Sequence, residues 1–339
     1  MIPLVKTKLF SSHSFLQMPL IASSSFKPLP GLANGHLQTI LPVIFRRVTP
    51  ITRERERIET PDGDFLDLDW NRTTRSKRLL IITHGLEGSS ANPSVQGMAA
   101  AFHRVGWDTL AWNLRGCSGE QNRLLRTYHS GARDDLERVI DHAGHGYHEI
   151  ALIGFSIGGN LTLKYLGDLG SAINSRITGA VVFSVPCDLA SSARALEKTV
   201  NRIYMNHFLR DLRRKIRAKA AEFPGAVPTA ELKRMRTFRE FDGTYTAPLN
   251  GFLSAEDYWA KASSKPSLIG ISVPTLMISA LNDPFLGPEC YPTDIAKPHP
   301  HLYLETPSSG GHLGFLSLHT EYWPERRALE FLIQTVGDC

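Results

Sequence analysis

The spacing of apolar residues changes rhythm several times along the chain, and each rhythm predicts an element. Leu79-Leu80-Ile81-Ile82-Thr83 is a short run without a charged interruption, the pattern of a strand buried on both faces of a sheet. Pro93 to Val105 follows at helical spacing, with Pro93 early in the first turn, where its missing N–H costs nothing. Further strands are predicted at Trp107–Trp112, Glu149–Phe155, Ile177–Val185, Val273–Ala280 and His301–Glu305. Helices are predicted at Gly131–Ala143, Ile157–Leu169 and Tyr322–Val336. Strands that alternate with helices build a mostly parallel, doubly wound sheet covered on both faces, so the expected class is α/β. Ahead of it, Arg55 to Trp70 reads as an N-terminal β-hairpin turning at Pro61-Asp62-Gly63-Asp64, and Leu37 to Arg47 can include a short helix.

Two stretches break the rhythm. Residues 1–27 carry no periodicity and end in a serine run, so they are expected to be a disordered or variable tail before a single domain at 28–339. Within the tail, Lys6 and Lys8 precede Phe15 to Ala22, but Gln17 and Pro19 interrupt that apolar stretch, which argues against a signal peptide. A chain beginning at Met18 is expected to keep the whole domain. The second stretch, Pro186 to Pro266, carries no good strand and is rich in Arg, Lys and aromatic residues. A helical cap inserted between two sheet strands is the economical reading, with Tyr204, Met205, Phe208 and Leu209 as candidates to line a pocket.

Composition narrows the function classes. The chain has 339 residues, 42% hydrophobic and 21% charged, which excludes disordered, fibrous and multi-span membrane chains. The four cysteines at 117, 187, 290 and 339 form no metal-binding spacing and suit a reducing, cytoplasmic setting. Lys plus Arg exceed Asp plus Glu by 38 to 33. The basic cap segment can be a solvated face or meet an anionic surface; no recognised nucleic-acid fold accompanies it.

Gly154-Phe155-Ser156-Ile157-Gly158 lies between the strand Glu149–Phe155 and the helix Ile157–Leu169. A nucleophilic serine needs such a sharp turn to expose its hydroxyl, and the glycines remove side chains that would collide across it. The hydroxyl also needs a base, oriented in turn by a carboxylate. His312, in Gly310-Gly311-His312-Leu313-Gly314, follows the last predicted strand. Asp283 follows the Val273–Ala280 strand, 29 residues earlier, with Asp294 as the nearest alternative acid. For the oxyanion formed on attack, the Ile157 amide and the Leu86 amide are the expected donors. Leu86 lies in His84-Gly85-Leu86-Glu87-Gly88; His84 could be a metal ligand, but no partner ligand stands at suitable spacing. No cofactor or metal is expected.

These residues resemble the α/β-hydrolase fold. Asn34-Gly35-His36-Leu37-Gln38-Thr39, Pro61-Asp62-Gly63-Asp64-Phe65, Arg115-Gly116-Cys117-Ser118-Gly119, Tyr128-His129-Ser130-Gly131 and the segments around Leu86 and His312 together resemble its YheT-like branch. That branch comprises bacterial esterases related to eukaryotic ABHD proteins and yeast medium-chain ethyl-ester esterases. The resemblance covers about residues 28 to 335. It implies a serine esterase with Ser156 as nucleophile, Asp283 as acid and His312 as base. It also implies short- to medium-chain acyl esters as substrates, monoacylglycerols among them. An acyltransferase would use the same triad, and a silent binding protein the same scaffold; the presence of all three triad residues favours an enzyme. The expected partner is a small-molecule ester, with weak membrane contact through the basic cap.

Overall fold

In the computed structural model, which describes residues 19–48, 53–317 and 321–336, the predicted rhythm becomes the following elements. The chain opens with β1 (Leu20–Ile21), α1 (Gly35–Phe45) and the hairpin β2 (Glu54–Glu59) and β3 (Phe65–Asn71). Alternation follows: β4 (Arg78–Thr83), α2 (Pro93–Arg104), β5 (Asp108–Asn113), α3 (Arg133–Ala143), β6 (Glu149–Phe155), α4 (Ile157–Leu169) and β7 (Ile177–Phe183). The next segment holds no strand but α5 (Leu189–Glu197), α6 (Arg202–Glu222), α7 (Phe238–Phe241), a π-helical turn, α8 (Ala247–Leu249) and α9 (Ala255–Ala262). The chain then returns through β8 (Thr275–Ile278), α10 (Thr293–Ala296), β9 (Leu302–Glu305) and α11 (Trp323–Val336).

The nine strands form one sheet in the order β1-β9-β8-β7-β6-β4-β5-β3-β2. All neighbours run parallel except β3, which pairs antiparallel with both β2 and β5. Strand order reverses at β4, which lies between β5 and β6. In open α/β sheets a ligand crevice opens at such a reversal, beyond the C-terminal strand ends.

The unbroken apolar run of β4 is explained by two cores. Leu79 and Ile81 pack with Leu110, Leu152, Val139 and Leu161 on one face; Leu80 and Ile82 pack with Met98, Phe102, Ile153 and Phe331 on the other. Alternate residues of a strand point to opposite faces, so a sheet covered on both sides leaves no position for a polar residue in its centre. A third apolar cluster joins α5, α6, α7 and α9 among themselves.

The tail expectation needs correction where the structure describes it. Leu20 and Ile21 pair with Leu304 and Glu305 to make β1 the edge of the sheet. Phe26 is buried, with its ring against Phe315 and Trp323 at 5.3 Å from each. Edge pairing and one aromatic anchor hold a segment whose composition shows no periodicity. The expectation for residues 1–17 lies outside the described residues. Among the described residues, no helix is long and apolar enough to cross a membrane.

Candidate active site

β6 ends at Phe155 and α4 begins at Ile157, so Ser156 alone makes the turn. Its backbone takes φ +54°, ψ −119°, a region costly for a residue with a side chain and held only where surroundings enforce it. They do so here. The Ser156 N–H donates to Phe183 O at 2.9 Å. A Cβ at Gly154 would stand 2.7 Å from Gly158 O, and one at Gly158 would press into the carbonyls of Thr83 and His84. Both glycines are therefore required by backbone approach across the turn.

Ser156 Oγ lies 3.1 Å from His312 Nε2. His312 Nδ1 lies 2.9 Å from Asp283 Oδ2 and 3.1 Å from Oδ1. The Asp283 side chain is fully buried and also accepts from the Phe285 N–H at 2.9 Å. The Phe285 ring covers His312 at a centroid distance of 4.1 Å. Asp294 instead lies exposed on α10. The structure thus brings Ser156, His312 and Asp283 into one hydrogen-bonded line and leaves Asp294 out of it.

The His312 loop is held from α1. The His312 N–H donates to Thr39 Oγ1 at 2.9 Å, and Thr39 in turn donates to Gly35 O. Gln38 Oε1 accepts the Leu316 N–H at 2.7 Å. The motif around Gln38 and Thr39 stood out in the sequence; its role required knowing that α1 lies beside residue 312.

On the other side of Ser156, the turn after β4 carries Leu86, closed by a Gly88 N–H to Gly85 O hydrogen bond of 3.0 Å. Ile157 is the first residue of α4, where an N–H has no acceptor within its helix. Leu86 and Ile157 line the same cavity as Ser156 and His312. His84 is fixed as a neutral ring: Nδ1 donates to Gly85 O at 2.7 Å and Nε2 accepts the Leu114 N–H at 3.1 Å. Burial holds its pKa down to about 4, so it braces the turn with both nitrogens engaged.

Glu87, next to Leu86, has φ +52° and is clamped. Its N–H donates to Tyr128 OH at 3.0 Å, and that hydroxyl donates to Glu87 Oε1 at 2.6 Å. Lys215 Nζ, reaching down from α6, lies 3.0 Å from the same carboxylate oxygen. Burial works against the Lys215 charge, but Cys117 and Glu87 outweigh it and raise its pKa. Burial also pushes the Cys117 thiol up to about 11.

Above Ser156 lies a cavity of about 120 Å³. Its walls include Phe208, Leu212 and Ile216 of α6, Phe238 and Phe241 of α7, and Trp259 of α9. Of the four α6 residues expected there, Phe208 alone lines it; Met205 and Leu209 pack among the cap helices, and Tyr204 stands against His36 and Phe285. Polar groups also line the cavity, among them Glu87, Lys215, Asp242 and His129. Burial pushes the Asp242 carboxyl up to about 6, even with Thr246 and Trp259 donating to it at 2.7 and 2.8 Å. Burial likewise lowers His129 to about 4.

A strand–serine–helix turn at a sheet's reversal point, facing a histidine and an acid on later strand ends, defines an α/β hydrolase. The chain belongs to that family: the pattern of the alpha/beta hydrolase fold matches residues 78–317. Over 326 residues it is 37% identical to "Putative esterase YheT" of Escherichia coli K12, covering 92% of this chain and 94% of the relative. It is 29% identical over 317 residues to phospholipase ABHD3 of Homo sapiens, covering 90% of this chain and 76% of that protein. Among solved structures, a Pyrococcus furiosus esterase, Pf2001, superposes with a TM-score of 0.58 at 17% identity, covering 86% of this chain and 96% of that one. At that identity the likeness speaks for the fold alone.

Proposed function

We propose that the chain is a serine carboxylic ester hydrolase acting on short- to medium-chain acyl esters, monoacylglycerols among them, through an acyl-enzyme on Ser156. The observation that carries this reading is the hydrogen-bonded line Ser156–His312–Asp283 at the floor of an apolar cavity. His312 Nε2 takes the Ser156 proton as Oγ attacks the ester carbonyl, and Asp283 steadies the imidazolium through Nδ1–H. The oxyanion is met by the N–H groups of Ile157 and Leu86, donors preorganised before the charge develops. His312 then protonates the departing alcohol. Water, activated by the same imidazole, releases the acid and regenerates Ser156. Residues 186–266 act as the cap of the hydrolase domain, and the acyl chain lies along Phe208, Leu212 and Phe238. The names of the relatives, an esterase and a phospholipase, support the same reaction class.

A chain-length series of p-nitrophenyl esters tests the proposal, with Ser156→Ala as the blank. The expected result is hydrolysis with an optimum among short to medium acyl chains, lost in the variant. Turnover that survives in Ser156→Ala would refute it. Release of free acid, compared with and without added alcohol, separates hydrolysis from acyl transfer.

A further inference from the structure

Helix α1 is amphipathic in the reverse sense. Gly35, Gln38, Thr39 and Pro42 are buried, and the polar pair among them holds the His312 loop. Of the remaining positions, His36 is partly exposed, and Leu37, Ile40, Leu41, Val43, Ile44 and Phe45 are exposed or partly exposed and apolar. Val43, Ile44 and Phe45 are 80%, 56% and 69% exposed. A surface helix ordinarily turns its polar face to water. Single exposed apolar side chains are common, but a contiguous face marks an interaction site.

The face continues beyond α1. The His36 ring stacks on Tyr204, with centroids 5.8 Å apart, which sets the start of α6 beside the start of α1. There Val200 and Ile203 are 68% and 66% exposed. Exposed cations flank these residues along the chain: Arg47 after α1, and Lys198, Arg202 and the Asp211-paired Arg210 along the cap. Glu197 and Asp211 are the acids in that stretch of the cap, and Asp211 already pairs with Arg210 and Arg214.

We infer that the outer face of α1 and the start of α6 form a docking surface for an anionic lipid bilayer. Apolar side chains flanked by Lys and Arg fit the boundary between acyl chains and phosphate headgroups, where both kinds of group find partners. A second copy of the chain is a poorer match, because it would set one basic rim against another. The inner side of the same helix holds the His312 backbone through Thr39. Docking therefore carries the cavity's catalytic floor to the lipid surface, where poorly soluble esters collect. This consequence rests on the esterase reading; the docking itself does not.

Co-sedimentation tests it with the full-length protein and two vesicle types, phosphatidylcholine alone and phosphatidylcholine mixed with phosphatidylglycerol. The expected result is binding to the mixed vesicles that weakens as salt rises from about 0.1 to 0.5 M. The double variant Ile44→Glu/Ile203→Glu should lose at least about tenfold in binding, and Arg202→Glu/Arg210→Glu should lose a similar amount. Both should keep wild-type thermal stability and wild-type turnover of a water-soluble acetate ester. The inference is overturned by absence of vesicle binding, by unchanged binding in both variants, or by a concentration-dependent dimer that Ile44→Glu/Ile203→Glu dissolves. Loss of binding in a chain starting at Met18 would also overturn it, by moving the contact to residues 1–17. Vesicle binding is read without substrate, so an inactive but binding protein refutes the esterase reading and leaves this one standing.

Discussion

At the residue scale, His84 shows how a buried group can be structural while sitting next to the chemistry. Both ring nitrogens are engaged, and burial lowers its pKa from 6.5 to about 4. The unfolded chain therefore binds the proton more readily than the folded one. The contribution is fully present above pH 6.5 and is lost as the pH falls toward 4, an effect of about 3 kcal/mol. Urea unfolding across that window should show the midpoint falling with pH, and His84→Gln should flatten the fall. An unaltered pH dependence in the variant would contradict a neutral, braced His84. Thr39 makes a second test at this scale. Thr39→Val removes the acceptor for the His312 N–H, so kcat should fall by about tenfold, the worth of roughly one hydrogen bond. KM should hold, and Thr39→Ser should restore the rate.

At the element scale, α6 ties the cap to the turn that carries Leu86. Lys215→Met leaves the Glu87 carboxylate buried without its cation, which should cost about 3 kcal/mol or more in stability. Adding Glu87→Gln should recover most of that loss, measured by the same urea titration. Phe208, two turns earlier on the same face of the helix, tests the cavity wall. If the cap shapes the acyl site, Phe208→Ala shifts kcat/KM between long and short p-nitrophenyl esters, each methylene counting for about 1–3 kcal/mol. A lower stability with an unchanged ratio would make Phe208 packing alone. The sequence placed Tyr204, Met205, Phe208 and Leu209 together, because all are apolar within one turn and a half. Phe208, Leu212 and Ile216, at four-residue spacing, reach the cavity, while Met205 and Leu209, on an overlapping arc of the helix at about 100° per residue, pack into the cap cluster. Which of them reach the cavity depends on what α6 packs against, which no local pattern records. The strands were legible because burial on both faces forces continuous apolar runs; their ends shifted by up to two residues, as with β8 at Thr275–Ile278.

At the scale of the whole molecule, the sheet's reversal at β4 explains why distant segments converge. Gly154, two residues before Ser156, pairs in register with Thr83, three before Leu86, so the proposed nucleophile and oxyanion donor leave adjacent strands together. Asp283 and His312 follow the neighbouring strands β8 and β9. Their candidacy was readable because each follows a strand in the order serine, acid, histidine, and glycines flank the serine and the histidine. The supports from Gln38, Thr39, Tyr128 and Lys215 were not, since Thr39 and His312 meet across 273 positions of chain. Whether Ser156 is the nucleophile is read most directly by active-site labelling. Wild-type protein treated with a fluorophosphonate should gain one adduct, located by peptide mass analysis on Ser156, and Ser156→Ala should gain none. Labelling of the variant at the wild-type level would contradict the account.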